Sequence, residues 1–372
     1  MSAPRVRAKT GVGVVFGGPS REHGVSFLSA RCLLENLPQE KYDAVPVFVG
    51  KDGIWHSPQD SKAEMERQLA RPAKDLLLDG VRPGSRPAET PEVVGSFFSA
   101  WHEAGADVLF PIVHGTFGED GVVQGLFESL GIPYVGFGVM ASAVGMDKIL
   151  MKAAFAAAGL PQARYVGFSR AEWMSPASRA VLLARIGDLG APVFVKPSCA
   201  GSSVGITKVK EQAQLAEAVE AALRVDSRVL AEQAADAREI ECSVLQGENG
   251  GPTEASLPGE IVPGHEFYDY EDKYIDTGSR SIIPADLPES VREEVRRLAV
   301  RAFDVLGGEG FARVDFFLER RTSRVLVNEI NSLPGFTPIS MFPKMWEATG
   351  LPLAPLLDRL VTSAFRRPLR GR

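Results

Sequence analysis

Apolar residues follow two kinds of spacing along the chain, and the change from one to the other marks its organisation. Val12–Phe16 is a short continuous apolar run that stops at Gly17-Gly18, the pattern of a strand buried on both faces. Ala44–Val49, Val108–Val113 and Ile132–Val135 repeat it. Helically spaced segments at Ser26–Leu37, Pro91–Ala104 and Gly121–Leu130 lie between them. Strands alternating with helices predict an α/β domain with a parallel sheet over residues 1–139. Residues 57–92, rich in Pro, Ser, Arg and Glu, read as a solvated excursion with no identifiable chemistry.

After a helix over Met140–Gly159, which carries Asp147-Lys148, the spacing changes. Val193–Val195, Ile206–Val209, Val229–Ala231 and Ile240–Leu245 read as strands with short connections, interrupted by one strong helix at Lys210–Leu223. A long irregular segment, Ser256–Pro284, precedes a helix at Glu289–Val305 and a hairpin of Phe311–Leu318 with Val325–Asn331. Antiparallel hairpins among helices predict two α+β domains, 140–236 and 237–372.

Composition narrows the class. The 372 residues correspond to two or three domains at about 150 residues each. The apolar share of 45% and charged share of 24% suit a globular protein with a sizeable core. A net charge of −6 argues against a nucleic-acid partner, which demands clustered excess Lys and Arg. Cys32, Cys199 and Cys242 lie far apart without a CxxC pair, which points away from disulfides and towards a reducing cytoplasm. No apolar run approaches the ~18 residues of a membrane span, and Val12–Phe16 is too short for a signal peptide.

The C-terminal hairpin is the most informative piece. Alternation puts Arg313, Asp315 and Phe317 on one face of the first strand, and Val327, Glu329 and Asn331 on one face of the second. A turn centred on Thr322 sets Asp315 opposite Glu329 and Arg313 opposite Asn331. Opposed carboxylates destabilise a sheet unless something neutralises them. Mg²⁺ would do so, because it takes a few carboxylate or amide oxygens and fills its octahedron with phosphate oxygens and water. Arg313 bridging the acids in a solvated hairpin is the competing reading.

Lys196-Pro-Ser-Cys-Ala-Gly-Ser-Ser-Val-Gly205 is a Gly/Ser loop between two strands, where backbone N–H groups could close over phosphates beside a lysine. It is not a Walker A loop, and Gly11-Val-Gly13-Val-Val-Phe16 does not complete GxGxxG. Lys148, Lys196, Glu232 and Glu239 could together hold a nucleotide, although spacing alone does not require it. Phe267, Tyr268, Tyr270 and Tyr274 make Ser256–Pro284 a candidate lid, since disordered segments are poor in aromatics. Glu22 falls at a helix N-terminus, where it complements the helix dipole or meets a substrate ammonium. His114 follows a strand at the end where parallel sheets bind ligands, although a lone histidine there is also compatible with a structural role.

Seven motifs occur in order: Gly17-Gly18-Pro-Ser-Arg-Glu22-His-Gly-Val-Ser26, His114-Gly-Thr-Phe-Gly-Glu-Asp-Gly121, Met146-Asp-Lys148, Lys196-Pro to Gly205, Tyr268-Asp-Tyr-Glu-Asp-Lys-Tyr274, Ala312-Arg-Val-Asp315 and Asn328-Glu-Ile-Asn331-Ser-Leu-Pro-Gly335-Phe-Thr-Pro338. Over about residues 11–360 the chain resembles the D-alanine–D-alanine ligases of the ATP-grasp superfamily. The resemblance implies a parallel-sheet N-terminal domain followed by two α+β domains forming an ATP-grasp fold. It also implies an ATP-dependent ligase for peptidoglycan precursors, working through an acyl phosphate. Lys148, Lys196, Ser203 and Lys273 would serve ATP and its phosphates, and Glu232 and Glu239 its adenine and ribose. Asp315, Glu329 and Asn331 would coordinate two Mg²⁺, with Mn²⁺ as a substitute and K⁺ as an activator. Glu22 would hold the first D-alanine's ammonium, with Ser202 and Tyr274 joining it in a lid-closing network and His114 nearby. Arg313 and the Gly335 N–H would form the oxyanion hole, and Ser340 and Met341 would bind the second D-alanine's carboxylate. A cytoplasmic homodimer is the implied assembly.

Two departures stand out: Cys199-Ala200 replaces larger or charged residues, and Ala234-Ala235 replaces bulkier ones at the adenine hinge. A D-alanine–D-lactate ligase would carry a histidine near Tyr274, a regulator without catalysis would have lost Arg313, Asp315 or Glu329, and a ligase for a different amine would lack the motifs around Glu22 and His114. The sequence favours dipeptide formation on each count.

Overall fold

The computed structural model describes residues 8–79, 90–201, 205–263 and 279–367. The chain divides into two compact units: Met1–Val139 with Glu248–Gly250 and Leu333–Arg372, and Met140–Gly247 with Gly251–Ser332. Residues Leu333–Arg372 therefore group with the first unit, although they lie inside the third expected domain, 237–372.

In the first unit, β1 (Thr10–Gly17) is central in a parallel sheet of order β2–β1–β3, with β2 at Tyr42–Val49 and β3 at Val108–Pro111. Its near-continuous burial is what a strand covered on both faces requires. Helices α1 (His23–Asn36), α2 (Pro58–Leu69), α3 (Ala73–Asp79), α4 (Thr90–Ala104) and α5 (Val122–Leu130) complete the first part. One layer packs Val15, Val47, Trp55, Phe97, Phe127 and Tyr134 together. Ile132–Val135, expected as a strand, forms only an isolated bridge at Tyr134, held by Leu109 N–H to Pro133 O and Val135 N–H to Leu109 O, both 2.9 Å.

The expectation for residues 57–92 is corrected where the structure describes them, at 57–79 and 90–92. Ser57 caps α2 by accepting from Asp60 N, and Met65, Leu76 and Leu77 are buried. Polar neighbours mask the few apolar positions on α2, and α3 is too short to show a periodic stripe.

The second unit opens with α6 (Val139–Met146) and α7 (Lys148–Ala157), so the expected single helix is broken at Asp147, whose ψ of 102° is not helical. A four-stranded antiparallel sheet of order β4–β7–β5–β6 follows among the described residues, from β4 (Tyr165–Ser169), β5 (Val193–Pro197), β6 (Thr207–Val209) and β7 (Arg228–Gln233). Helices α8 (Arg170–Met174), α9 (Pro176–Gly187) and α10 (Leu215–Val225) accompany it, and α10 buries Leu215, Val219, Ala222 and Leu223 against the sheet.

A second antiparallel sheet has the order β11–β10–β8–β12–β13, with β9 paired to β8. Its strands are β8 (Ala237–Leu245), β9 (Glu254–Ala255), β10 (Gly259–Val262), β11 (Arg280–Ile282), β12 (Phe311–Glu319) and β13 (Val325–Asn331). The segment expected to be irregular thus contributes a paired strand at each end, with Glu260 facing Ile282. Helix α11 (Glu289–Val305) packs Val295, Leu298, Ala302 and Phe303 inward. Hydrophobic spacing did not reveal β4, α8 and α9, nor the first unit's closing helices α12 (Met341–Ala348) and α13 (Leu353–Ala364).

Candidate functional site

In the second unit, Asp147 caps α7, accepting from Ile149 N and Leu150 N at 3.1 Å each. The same carboxylate accepts from Ser198 Oγ at 2.7 Å and is reached by Arg228. Lys148 N–H donates to Ser198 O at 3.0 Å. These bonds fix the start of α7 to the strand end beyond Lys196. They aim Lys148, whose ammonium donates to Ala200 O at 2.9 Å and lies 3.7 Å from Glu329 Oε2.

Glu232, on β7, is 1% exposed. Lys196 Nζ donates to its Oε2 at 2.6 Å, and Lys152 Nζ lies 2.5 Å from its Oε1. Burial alone would push this carboxyl up, but Lys152 and Lys196 outweigh it and bring the group down to about 2. Burial lowers Lys152. Burial likewise opposes the charge on Lys196, yet Glu232, Glu329 and Glu239 prevail and raise it. Lys196, Lys148, Glu232, Glu239, Asp315 and Glu329 all line one cavity of about 630 Å³, within the range of small-molecule sites. Ala234 and Ala235 also line it; the Ala234 N–H is already bound to Pro192 O at 3.0 Å.

The hairpin has the predicted register around its acids: Asp315 faces Glu329 and Arg313 faces Asn331, with a bulge between Asp315 and Phe316. Asp315 also faces Glu241 on β8, so three carboxylates stand in a row across three strands. Arg313 Nε and a terminal nitrogen donate to both Asp315 oxygens at 2.7 and 2.8 Å, and Nε lies 3.1 Å from Glu241 Oε2. Asn331 Nδ2 donates to Asp315 Oδ2 at 2.9 Å. Arg313 therefore does bridge acids, Asp315 and Glu241, while Glu329 has Lys148 beside it. No cluster of three or more His, Cys, Asp and Glu is arranged as a metal cage among the described residues. Two carboxylates lining the cavity, with the Asn331 amide bonded to one of them, nevertheless fit an ion such as Mg²⁺, which keeps waters and phosphate oxygens for its remaining positions.

In the first unit, the Gly17-Gly18 turn has φ values of +94° and +84°. A side chain at either position would clash, at Gly17 with Val49 O and at Gly18 with Val113. This turn leads to Glu22, which precedes α1 and whose N–H donates to Ser20 Oγ at 3.2 Å. Ser20 Oγ donates to His114 O at 2.5 Å. Gly115 has φ +79°, and a Cβ there would stand 2.7 Å from Glu22 Oε2, so the carboxylate lies directly against that glycine.

His114 is 4% exposed. Its Nδ1 is 2.9 Å from Leu333 O, which can only accept, so Nδ1 carries the proton. Nε2 then accepts from Ser29 Oγ at 3.1 Å, and Ser29 Oγ accepts from Phe336 N at 3.2 Å. Glu119 accepts from Gly115 N at 2.7 Å and Leu333 N at 3.3 Å. The loop carrying Gly335 is thus wrapped around the imidazole. Ser340 Oγ accepts from Thr337 N at 2.9 Å, and Ser340 precedes α12, whose first residue, Met341, is buried.

The structure brings Lys148, Lys196, Glu232, Glu239, Asp315 and Glu329 together around the second unit's cavity, with Arg313 and Asn331 bonded to Asp315. It groups Glu22 with His114, and Gly335 with Ser340, in the first unit. Ser202, Ser203, Lys273 and Tyr274, with residues 264–278 of the candidate lid, lie outside the described residues. Sequence reasoning missed Lys152, Glu241, Ser29 and Glu119. The spacing of Lys152 four residues after Lys148, and of Glu241 two after Glu239, was the available signal.

Two family models match the chain: "D-ala D-ala ligase N-terminus" over residues 11–137 and "D-ala D-ala ligase C-terminus" over residues 154–362. The D-alanine–D-alanine ligase of Streptomyces coelicolor is 44% identical, covering 96% of this chain and 93% of its own. Among solved structures, the D-alanine-D-alanine ligase from Coxiella burnetii superposes with a TM-score of 0.76 at 36% identity, over 97% of this chain and 95% of its own. The VanG D-Ala:D-Ser ligase from Enterococcus faecalis superposes with a TM-score of 0.74 at 28% identity, over 96% of this chain and 99% of its own.

Proposed function

The chain belongs to the D-alanine–D-alanine ligase family, and from that premise we propose which of its residues carry the reaction. The activity is the ATP-dependent joining of two D-alanines for peptidoglycan synthesis, with a divalent metal ion in use. The observation that carries the residue assignment is the second unit's cavity, where Lys148, Lys196, Asp315 and Glu329 converge.

Lys148 and Lys196 take the nucleotide phosphates, and Glu239 with the backbone around Gln233–Ala235 takes the nucleoside. Glu232 orders the adenine side of the pocket. Asp315, Glu329 and Asn331 hold two Mg²⁺, replaceable by Mn²⁺. When bound, the metal neutralises phosphate charge so that an anionic nucleophile can approach. K⁺ activation is part of the same reading.

Glu22 binds the first D-alanine's ammonium beside Gly115, with His114 fixing the loop below it. The carboxylate oxygen of that D-alanine attacks the γ-phosphorus; the bond to the β-phosphate oxygen breaks, ADP leaves and an acyl phosphate forms. The second D-alanine's amine attacks the acyl carbon, and the negative charge that develops on its oxygen is met by Arg313 and the Gly335 N–H. The C–O bond then breaks, phosphate leaves and the amine's proton is lost. Ser340 and Met341 offer the N-terminus of α12 to the second carboxylate.

The chain's two α+β segments form the nucleotide grasp around this cavity. The three free thiols, Cys32, Cys199 and Cys242, support a reducing cytoplasm, and a homodimer is the assembly assigned on the resemblance; light scattering of the purified chain tests it. Phosphate release should require ATP, Mg²⁺ and D-alanine together. Turnover with L-alanine alone, or product formed only when D-lactate or D-serine is added as the second substrate, would overturn the dipeptide reading.

A further inference from the structure

Lys152 lies one helical turn after Lys148 on α7, on the same side of the helix, and is 1% exposed. It does not line the cavity, whereas its ion-pair partner Glu232 does. Its ammonium sits 2.5 Å from Glu232 Oε1 and 5.7 Å from the centre of the Tyr165 ring, so it is enclosed by an anion and an aromatic face. On the other oxygen, Lys196 stands at 2.6 Å. One buried carboxylate thus receives two cations, one from behind and one from the cavity wall.

This arrangement poses a problem for the nucleotide. If Lys196 is a phosphate ligand, the reading on which the role of Lys152 rests, its ammonium must loosen its hold on Glu232 as ATP arrives. A buried carboxylate stripped of its cation is strongly unfavourable, and Glu232 is held ionised far below neutrality. We propose that Lys152 is a positioning residue that keeps Glu232 paired while Lys196 turns to the nucleotide phosphates. Lys152 itself does not line the cavity that takes the nucleotide on this reading. Its effect is on how firmly the carboxylate retains Lys196: with Lys152 present the carboxylate shares two cations, and without it Glu232 competes directly with phosphate for one.

Steady-state kinetics of the full chain test this, varying ATP and D-alanine separately for wild type, K152M, E232Q, K152M/E232Q and K196M. K152M should raise the KM for ATP by about tenfold or more while the KM for D-alanine moves less than about twofold. Neutralising the competitor should remove this effect, so K152M/E232Q should stay within about threefold of the ATP KM of E232Q alone. A merely structural lysine would lower the yield of folded enzyme, visible in thermal melts, without changing the ATP KM. An unchanged ATP KM in folded K152M, or a K152M effect as large in the E232Q background as in wild type, overturns the proposal. If K152M does not fold, the E232Q background decides: an ATP KM about tenfold higher in K152M/E232Q than in E232Q would overturn the proposal, because Lys152 would then act on something other than Glu232. K196M keeps the two ideas apart. If K196M leaves ATP binding intact, the phosphate role of Lys196 has failed; if it abolishes binding while K152M is silent, only the positioning role of Lys152 has.

Discussion

Glu232 and the Asp315–Glu329 pair line the same cavity with the same functional group, yet the fold treats them in opposite ways. Glu232 is on a strand covered by α7, and both of its oxygens are taken by lysines whose positions that helix and β5 dictate. Asp315 and Glu329 stand half-buried on a hairpin, with Arg313 on one and Lys148 at 3.7 Å from the other. Desolvation makes the first carboxylate depend on its partners, because a buried charge without them is costly. The other two remain wet enough to exchange partners, which is what binding a metal and phosphates demands. Similar residues in one cavity thus divide into a fixed anchor and an adaptable pair.

Glu232→Leu should have the largest effect, since it strands two buried ammonium groups; about 3–5 kcal/mol of stability should be lost in urea unfolding. Loss of less than about 1 kcal/mol would mean that the lysines find other partners. The same carboxyl gives a pH signature. Its value falls from the usual 4.5 to about 2 on folding, so its contribution is complete above about pH 4.5 and disappears as the pH falls towards 2. Wild type should therefore lose more stability across that window than Glu232→Gln, and parallel curves would break the contrast.

Glu329→Gln comes next: phosphate release should fall by at least about a hundredfold with the melting temperature unchanged, as expected of a metal ligand on an open hairpin. Full activity would remove Glu329 from the metal site. Arg313→Ala should slow turnover by at least about tenfold, and a change below twofold would leave it only its bridge between Asp315 and Glu241. The smallest effect is expected at the exposed Lys41–Asp358 pair, 2.7 Å apart. Lys41→Ala should leave the melting temperature within about one degree, because water screens such contacts.

The hairpin is legible in the sequence because its period of two and its short turn leave one register that opposes Asp315 and Glu329. The bulge immediately after Asp315 is not, since one extra residue leaves no mark in the alternation. Lys148 and Lys196 stand out through the motifs around them, but Lys152 reads as one more polar residue on a helix; only the packing of α7 against β7 turns it inward. Glu241 is hidden because its neighbours across the sheet belong to a strand some seventy residues away. His114 is visible as a residue after a strand, whereas its bonds to Ser29 and Leu333, and that of Ser29 to Phe336, depend on chain segments that meet only in three dimensions. Helix α2 passes for loop because its inward apolar residues are too sparse to create a helical stripe, and α3, Ala73–Asp79, is too short to show one.

The return of Leu333–Arg372 to the first unit bears on how the protein is made. The strands of that unit emerge from the ribosome before the second unit, yet α13, which buries Leu356, Leu357, Leu360 and Val361, is synthesised after it. Until then the early α/β layer has an uncovered greasy flank, while the later-born unit already possesses every piece it needs. The nascent chain should therefore be most prone to aggregation in its oldest part, and a stop codon just before α13 should do more harm to the beginning of the protein than to its middle.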